Sequence, residues 1–160
     1  MQVARLAGAR VIAAASTAAK RDWAGGLGAG ATVDGAAAAP AVRTLTGGRG
    51  VDCVLDIVGT EASFAAALDS VAGGGRIVVV GYTPDSFALP GKRLAQNEIE
   101  VIGSRAGSRG DLAEILALTA SGSIRSIVTD RAPLAAVNTA LAKLRDGGVV
   151  GRLVLDIAPD

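Results

Sequence analysis

The stretches VDCVLDIVG, residues 51–59, and GGRIVVVGY, residues 74–82, decide the fold. The first is apolar from Val51 to Val58 except at Asp52 and Asp56, and the second carries Ile77, Val78, Val79 and Val80 without a break. A strand with one wet face alternates, so runs like these predict strands covered on both faces, as in a parallel sheet. Between them, over residues 61–72, Phe64, Ala67, Leu68 and Val71 recur at i, i+3, i+4 and i+7, the stripe of a helix lying on that sheet. Strand, helix and strand then form a parallel crossover, right-handed by the general rule. Both strands run into glycine, Gly59 and Gly81. Open parallel sheets bind ligands just beyond the carboxyl ends of their strands, so function is expected at these two bends.

Working outward, residues 2–7 place Val3, Leu6 and Ala7 on one helical face, and Gly8 stands where a helix stops. Residues 10–15 predict a short buried strand, and Ser16 or Thr17 caps a helix reaching about Leu27. Residues 31–34 predict a strand and residues 40–45 a short helix that breaks at Gly47 and Gly48. Downstream, Pro84 and Pro90 predict a loop over residues 83–93, followed by a strand at 98–103. Asp111 is placed to cap a helix whose Leu112, Ile115, Leu116 and Thr119 face inward. A short strand at 127–129, a helix marked by Val137, Leu141 and Leu144, and a terminal strand within 148–160 complete the chain. Cys53 falls inside a strand, where a small apolar residue is needed.

Two glycine clusters need separate treatment. Gly26-Leu-Gly28-Ala-Gly30-Ala31 has a dinucleotide-type spacing, but it closes a helix and leads into a strand, the reverse of the context that fingerprint requires. Gly73, Gly74 and Gly75 precede their strand and are expected to end the helix and turn the backbone.

The 160 residues suffice for one domain with a real core. Sixteen basic residues stand against fifteen acidic ones, and the cations are scattered, which argues against a nucleic-acid partner. One cysteine and no histidine exclude a disulfide framework, a Cys/His zinc site and a histidine acid or base within the chain. Arg5 and Arg10 ahead of VIAAAS have the outline of a signal peptide, but the apolar run stops at Ser16, and a strand is the plainer reading. No apolar run approaches the roughly 20 residues of a membrane span, and a cytoplasmic α/β protein is expected.

In this order and spacing, ARLAGARVIAAAST, LGAGATVD, LTGGRGVDCVLDIVGT, GGGRIVVVGY, IEVIGS and GRLVL resemble the nucleotide-binding half of the medium-chain dehydrogenase/reductase family, the zinc-type alcohol dehydrogenases and quinone reductases. The resemblance implies a Rossmann-like, doubly wound, mostly parallel sheet that binds NAD(H) or NADP(H) for hydride transfer to or from an alcohol, carbonyl or quinone. In the family an acidic residue often ends the second strand and holds the adenosine ribose, and the matching position here is Ala15, followed by Ser16, Thr17 and Lys20. Hydroxyls and a cation suit a 2′-phosphate, so NADP is favoured over NAD. The alternative is that Ser16 and Thr17 only cap the helix. The resemblance further places Ile57, Val58 and Gly59 beside the adenosine and nicotinamide ribose, and Val80, Gly81 and Tyr82 behind the nicotinamide ring. Ser104 and Arg105 fall on the next loop of that face, and Arg152 matches an arginine near the pyrophosphate.

The departures from the family pattern are as informative. The family's catalytic domain, with its zinc ligands or quinone site, has no counterpart here, nor do the first Rossmann strand and its glycine-rich turn. The reading frame is therefore expected to extend upstream of Met1, and no residue of this chain is named catalytic or metal-binding. A side chain at Gly59 or Gly81 is expected to enter the space the cofactor needs or to require unfavourable backbone angles. A non-catalytic nucleotide-binding or interaction module, an inactive remnant and a methyltransferase-like domain remain alternatives, and a homo-oligomer is left open.

Overall fold

The computed structural model describes residues 1–157. They form two compact units, Met1–Ser108 and a second that begins at Arg109.

The first unit begins with α1 (Gln2–Leu6), β1 (Ile12–Ala15) and α2 (Ala18–Gly26). Thr17 is the N-cap of α2, its Oγ1 accepting the Lys20 amide at 3.3 Å. β2 (Ala31–Asp34) lies parallel to β1, with Ile12 opposite Ala31 and Ala15 opposite Asp34. A 3-10 turn and α3 (Ala38–Leu45) lead to β3 (Val51–Asp56), α4 (Glu61–Ser70) and β4 (Val71–Val79). α5 (Gly91–Gln96) and β5 (Glu100–Gly103) complete the unit. β3, β4 and β5 form one parallel sheet in that order, and β1 and β2 form another.

α4 begins where Thr60 and Ser63 satisfy each other's amides, Thr60 Oγ1 accepting from Ser63 at 3.2 Å and Ser63 Oγ from Thr60 at 2.9 Å. Its apolar stripe of Phe64, Ala67 and Leu68 is buried against Ile77 of β4 as the spacing predicts, but the helix ends at Ser70, and Val71, expected on the same stripe, turns to extended backbone and joins this core as the first residue of β4. Val54, Val79, Phe87, Leu94, Ile99 and Val101 close this core at its margin. Arg43 ties α3 to it, its guanidinium donating to the carbonyls of Gly48, Arg49, Asp69 and Val71 at 2.8–3.0 Å.

Several expectations change. β3 is not covered on both faces: Cys53 is exposed and Leu55 is 54% exposed. The reason is that β3 pairs only with β4 and α4 covers one face, leaving the other face and edge open among the described residues. β1 is for the same reason half-covered rather than buried, since it pairs only with β2. Gly73, Gly74 and Gly75 lie within β4, in an irregular stretch between the pairs Val51–Val71 and Cys53–Arg76. Gly74 turns there with φ 70°, so a turn is present, but inside the strand. α5 forms where a loop was expected, because Pro90 sits ahead of its first turn, where a missing amide costs nothing.

The second unit contains α6 (Arg109–Ala120), β6 (Val128–Pro133), α7 (Val137–Arg145) and β7 (Arg152–Asp156). β6 and β7 are parallel, from Val128 opposite Arg152 to Pro133 opposite Asp156. Asp111 lies in the first turn of α6 rather than at its cap, because the helix starts two residues earlier. Leu112, Ile115, Leu116 and Thr119 are exposed instead of inward, and the helix that packs on β6 is α7. Of the expected terminal strand, residues 152–156 form β7, and residues 158–160 lie outside the described residues. Among the described residues no helix is long and apolar enough to cross a membrane.

Phe64 and Phe87 stack with ring centroids 4.0 Å apart, so one ring of this core comes from the segment between β4 and α5. Phe64→Ala is expected to destabilise the chain by ~3–5 kcal/mol, measured by urea unfolding, with a smaller loss for the less buried Phe87→Ala.

Candidate functional site: the carboxyl ends of the parallel strands

Asp56 ends β3 and is buried, with 5% of its surface exposed. One carboxylate oxygen accepts the amides of Val58 and Gly59 at 3.1 and 3.0 Å, and the other accepts the Ser63 hydroxyl at 3.0 Å. Its main-chain carbonyl accepts the amides of Val80 and Gly81 at 2.9 and 3.0 Å. One residue therefore holds both bends, Ile57–Gly59 by its side chain and Val80–Gly81 by its backbone. Sequence reading treats Asp56 only as an interruption in an apolar run. The available signal was its position, a carboxylate immediately before a glycine bend with free amides.

The two bends touch. Gly59 has φ 73°, and a Cβ there would overlap the Gly81 carbonyl and lie 2.9 Å from the Tyr82 nitrogen. A Cβ on Gly81 would overlap the Ile57 carbonyl oxygen and the Val58 carbonyl carbon. Glycine is thus required so that one backbone can lie against another, and the positive φ of Gly59 is the unfavourable backbone angle expected for a side chain there. The segment after Tyr82 is fixed to the same place. Thr83 Oγ1 donates to the Gly59 carbonyl at 2.8 Å, and Asp85 accepts the Glu61 amide at 3.1 Å.

Beyond the ends of β4 and β5 lies a cleft of about 540 Å³ lined by Val79, Val80, Gly81, Tyr82, Gly103, Ser104 and Arg105. The Ser104 amide donates to the Val79 carbonyl at 2.9 Å, which sets one bend against the other. Val80, Gly81, Tyr82, Ser104 and Arg105 are thus brought together on one cleft, and Ile57, Val58 and Gly59 adjoin it through the Gly59–Gly81 contact. Tyr82, Ile57 and Val58 are well exposed. Ser16, Thr17 and Lys20 are placed separately, at the carboxyl end of β1, where Arg21 also lies. Arg21 Nη1 donates to the Ala15 carbonyl at 2.8 Å and to Asp34 at 2.9 Å. Arg152 belongs to the other unit, exposed at the start of β7.

Asp52 and Asp130 are held below the ordinary carboxylate range. Asp52 owes this to the hydrogen bond and charge of Arg49, and Asp130 to a hydrogen bond from Lys143, the Arg131 amide and the Lys143 charge. Asp52 starts β3, at the opposite end from the cleft, and Asp130 is in β6. The run Gly26–Ala31 closes α2 and leads into β2, and Arg5 covers Gly28, donating to its carbonyl at 2.9 Å.

The family model described as zinc-binding dehydrogenase matches residues 1–121. The chain belongs to the zinc-binding dehydrogenase family. An alcohol dehydrogenase from Geobacillus stearothermophilus is 30% identical over the whole of this chain, which covers 47% of that relative. The solved structure of AibC is 41% identical, with TM-score 0.90 over 99% of this chain and 45% of its own. A mycobacterial protein solved in complex with NADPH is 31% identical, with TM-score 0.79 over 96% of this chain and 52% of its own. The chain spans about half the length of the relatives it matches and corresponds to the nucleotide-binding portion of this zinc-binding dehydrogenase family, with its Rossmann-like α/β fold.

The lining is of the kind a flat ring with an attached ribose or phosphate would need: valine and glycine make an apolar wall, and Ser104 and Arg105 carry a hydroxyl and a cation. Zinc is a different matter. Among the described residues no group of three His, Cys, Asp or Glu side chains could hold a metal ion.

Gly81→Ala is expected to lower stability by several kcal/mol or prevent folding, because the colliding atoms are backbone. Asp56→Ala, which leaves two amides and a hydroxyl without their acceptor, is expected to cost ~2–4 kcal/mol. Thermal unfolding of both variants checks this. If either unfolds like the parent, the clamp at Asp56 does not hold the bends.

Proposed function

We propose that the chain seats NADP(H) for an oxidoreductase that moves a hydride between the cofactor and a small alcohol, carbonyl or quinone. The observation that carries this is the 540 Å³ cleft at the carboxyl ends of β4 and β5, walled by the Val80–Tyr82 bend. When bound, the nicotinamide ring supplies or accepts the hydride. Val80, Gly81 and Tyr82 back one face of that ring, and Ser104 and Arg105 border its ribose. Ile57, Val58 and Gly59 support the middle of the cofactor, their bend fixed by Asp56. Ser16, Thr17 and Lys20 meet the adenosine end, where the absence of a carboxylate at Ala15 favours the 2′-phosphate of NADP. Arg152 is assigned to the pyrophosphate.

The substrate pocket and any zinc are assigned to a separate catalytic domain, as the covered share of the relatives' length suggests. The open edges of β1 and β3 suit one further parallel strand, the family's first, with its glycine-rich turn. The work is placed in the cytoplasm.

Titration of the intact protein with NADPH, NADH and S-adenosylmethionine tests the reading. NADPH is expected to bind more tightly than NADH by about tenfold, the scale of one charge-assisted contact, and Lys20→Glu is expected to remove that preference. S-adenosylmethionine binding alone would replace the dehydrogenase reading with a methyltransferase one.

A further inference from the structure

Among the described residues, the non-glycine residues with left-handed backbone are Glu98 and Ala106, each with φ 51°. An L side chain crowds the following carbonyl oxygen in that region, so such a residue is uncommon and has a cause. For Glu98 the cause is the end of a helix. It follows Asn97, the C-cap of α5, and the Ile99 amide donates back to the Leu94 carbonyl at 3.0 Å, the closing bond of a Schellman turn. Ala106 ends no helix. It lies beyond the end of β5, directly after Arg105 of the cleft lining. The Ser104 amide is fixed on the Val79 carbonyl at 2.9 Å, but the amides of Arg105, Ala106 and Gly107 donate to no main-chain carbonyl among the described residues. Ala106 is also exposed, so packing of its methyl group does not explain the conformation.

We propose that Ala106 is a positioning residue: its left-handed turn holds Arg105 on the rim of the cleft, and the strain serves ligand binding rather than the stability of the fold. The proposal rests on the dinucleotide reading above and adds to it a residue that touches no ligand. Strained backbone persists where its surroundings impose it, and it gathers where a ligand has to be met in one conformation. Ser104 is anchored to β4, so the links that move when Ala106 changes its angles are Arg105 and Gly107. Of these, Arg105 lines the cleft. A turn fixed in advance keeps the guanidinium in one place, whereas a turn that samples several conformations presents it there only part of the time.

NADPH and NADH affinities of the intact protein, read by nicotinamide fluorescence, are compared with thermal unfolding for the parent, Ala106→Gly, Ala106→Asn, Glu98→Gly, Arg105→Gln and the double variant Ala106→Gly/Arg105→Gln. Glycine frees the turn, whereas asparagine tolerates the left-handed region and keeps it. Ala106→Gly is expected to weaken both cofactors by about three- to tenfold, the reciprocal of the fraction of time the turn is competent, with no loss of Tm. Ala106→Asn is expected to bind like the parent. Glu98→Gly is expected to raise Tm and leave binding unchanged, since glycine suits a helix end. Arg105→Gln is expected to weaken binding, and adding Ala106→Gly to it to weaken binding little further, because Ala106 acts through Arg105. Parental affinity in Ala106→Gly overturns the inference. So does a loss matched by a fall in Tm, an equal loss in Ala106→Asn, or a loss that persists undiminished without Arg105. Each of these leaves the dinucleotide reading standing, whereas a parent that binds neither cofactor overturns both.

Discussion

The Asp56 carboxylate is the point on which the site depends. Two bends, each at the end of its own strand, must lie backbone against backbone at Gly59 and Gly81. Such an approach leaves amides facing inward, and a buried amide without an acceptor costs about 1–3 kcal/mol. Asp56 accepts two with its side chain and two with its carbonyl, so one residue satisfies both bends. Ser63 then links that carboxylate to the first turn of α4, whose other face fills the core. Site and core are thereby held by one short connected set of groups.

The parts of the first unit are unequal in cover. α4, β4 and the residues around them are dry, with Phe64 and Ile77 almost wholly enclosed. β1 and β3 each pair on one side only, and Leu55, Ile57 and Val58 stand exposed. Both sheets nevertheless end on carboxyl termini that carry the groups assigned to cofactor binding. That arrangement is what an open parallel sheet imposes, because every strand delivers its following bend to the same edge.

Much of this was legible in residue order. The Phe64, Ala67, Leu68 stripe and the glycine bends are local periodic or conformational signals and are present in the fold, although Val71 opens β4 instead of continuing the helix. The β2 boundaries, set by Ala31 and Asp34, also match the sequence. Continuous apolar strands were over-read, because an apolar run reports which faces tolerate burial and not which neighbours are present to cover them. Leu112 and Leu116 fail in the same way. Asp56 and Arg21 escaped because their partners are backbone groups or residues distant in sequence, such as Asp34. α5 escaped because two prolines suggest irregular structure, although Pro90 precedes rather than interrupts it.

The segment from Thr83 to Pro90 leaves the cleft and returns to the core, and it is tied at Gly59, at Glu61 and on the ring of Phe64. Fixing a backbone residue costs about 1–2 kcal/mol in lost conformational freedom. Because the three ties are made by groups of the chain itself, that loss belongs to folding and not to association. A ligand seated beside Tyr82, as proposed for the dinucleotide, would meet a preorganised wall, and little of its interaction energy would be diverted into ordering the loop behind it.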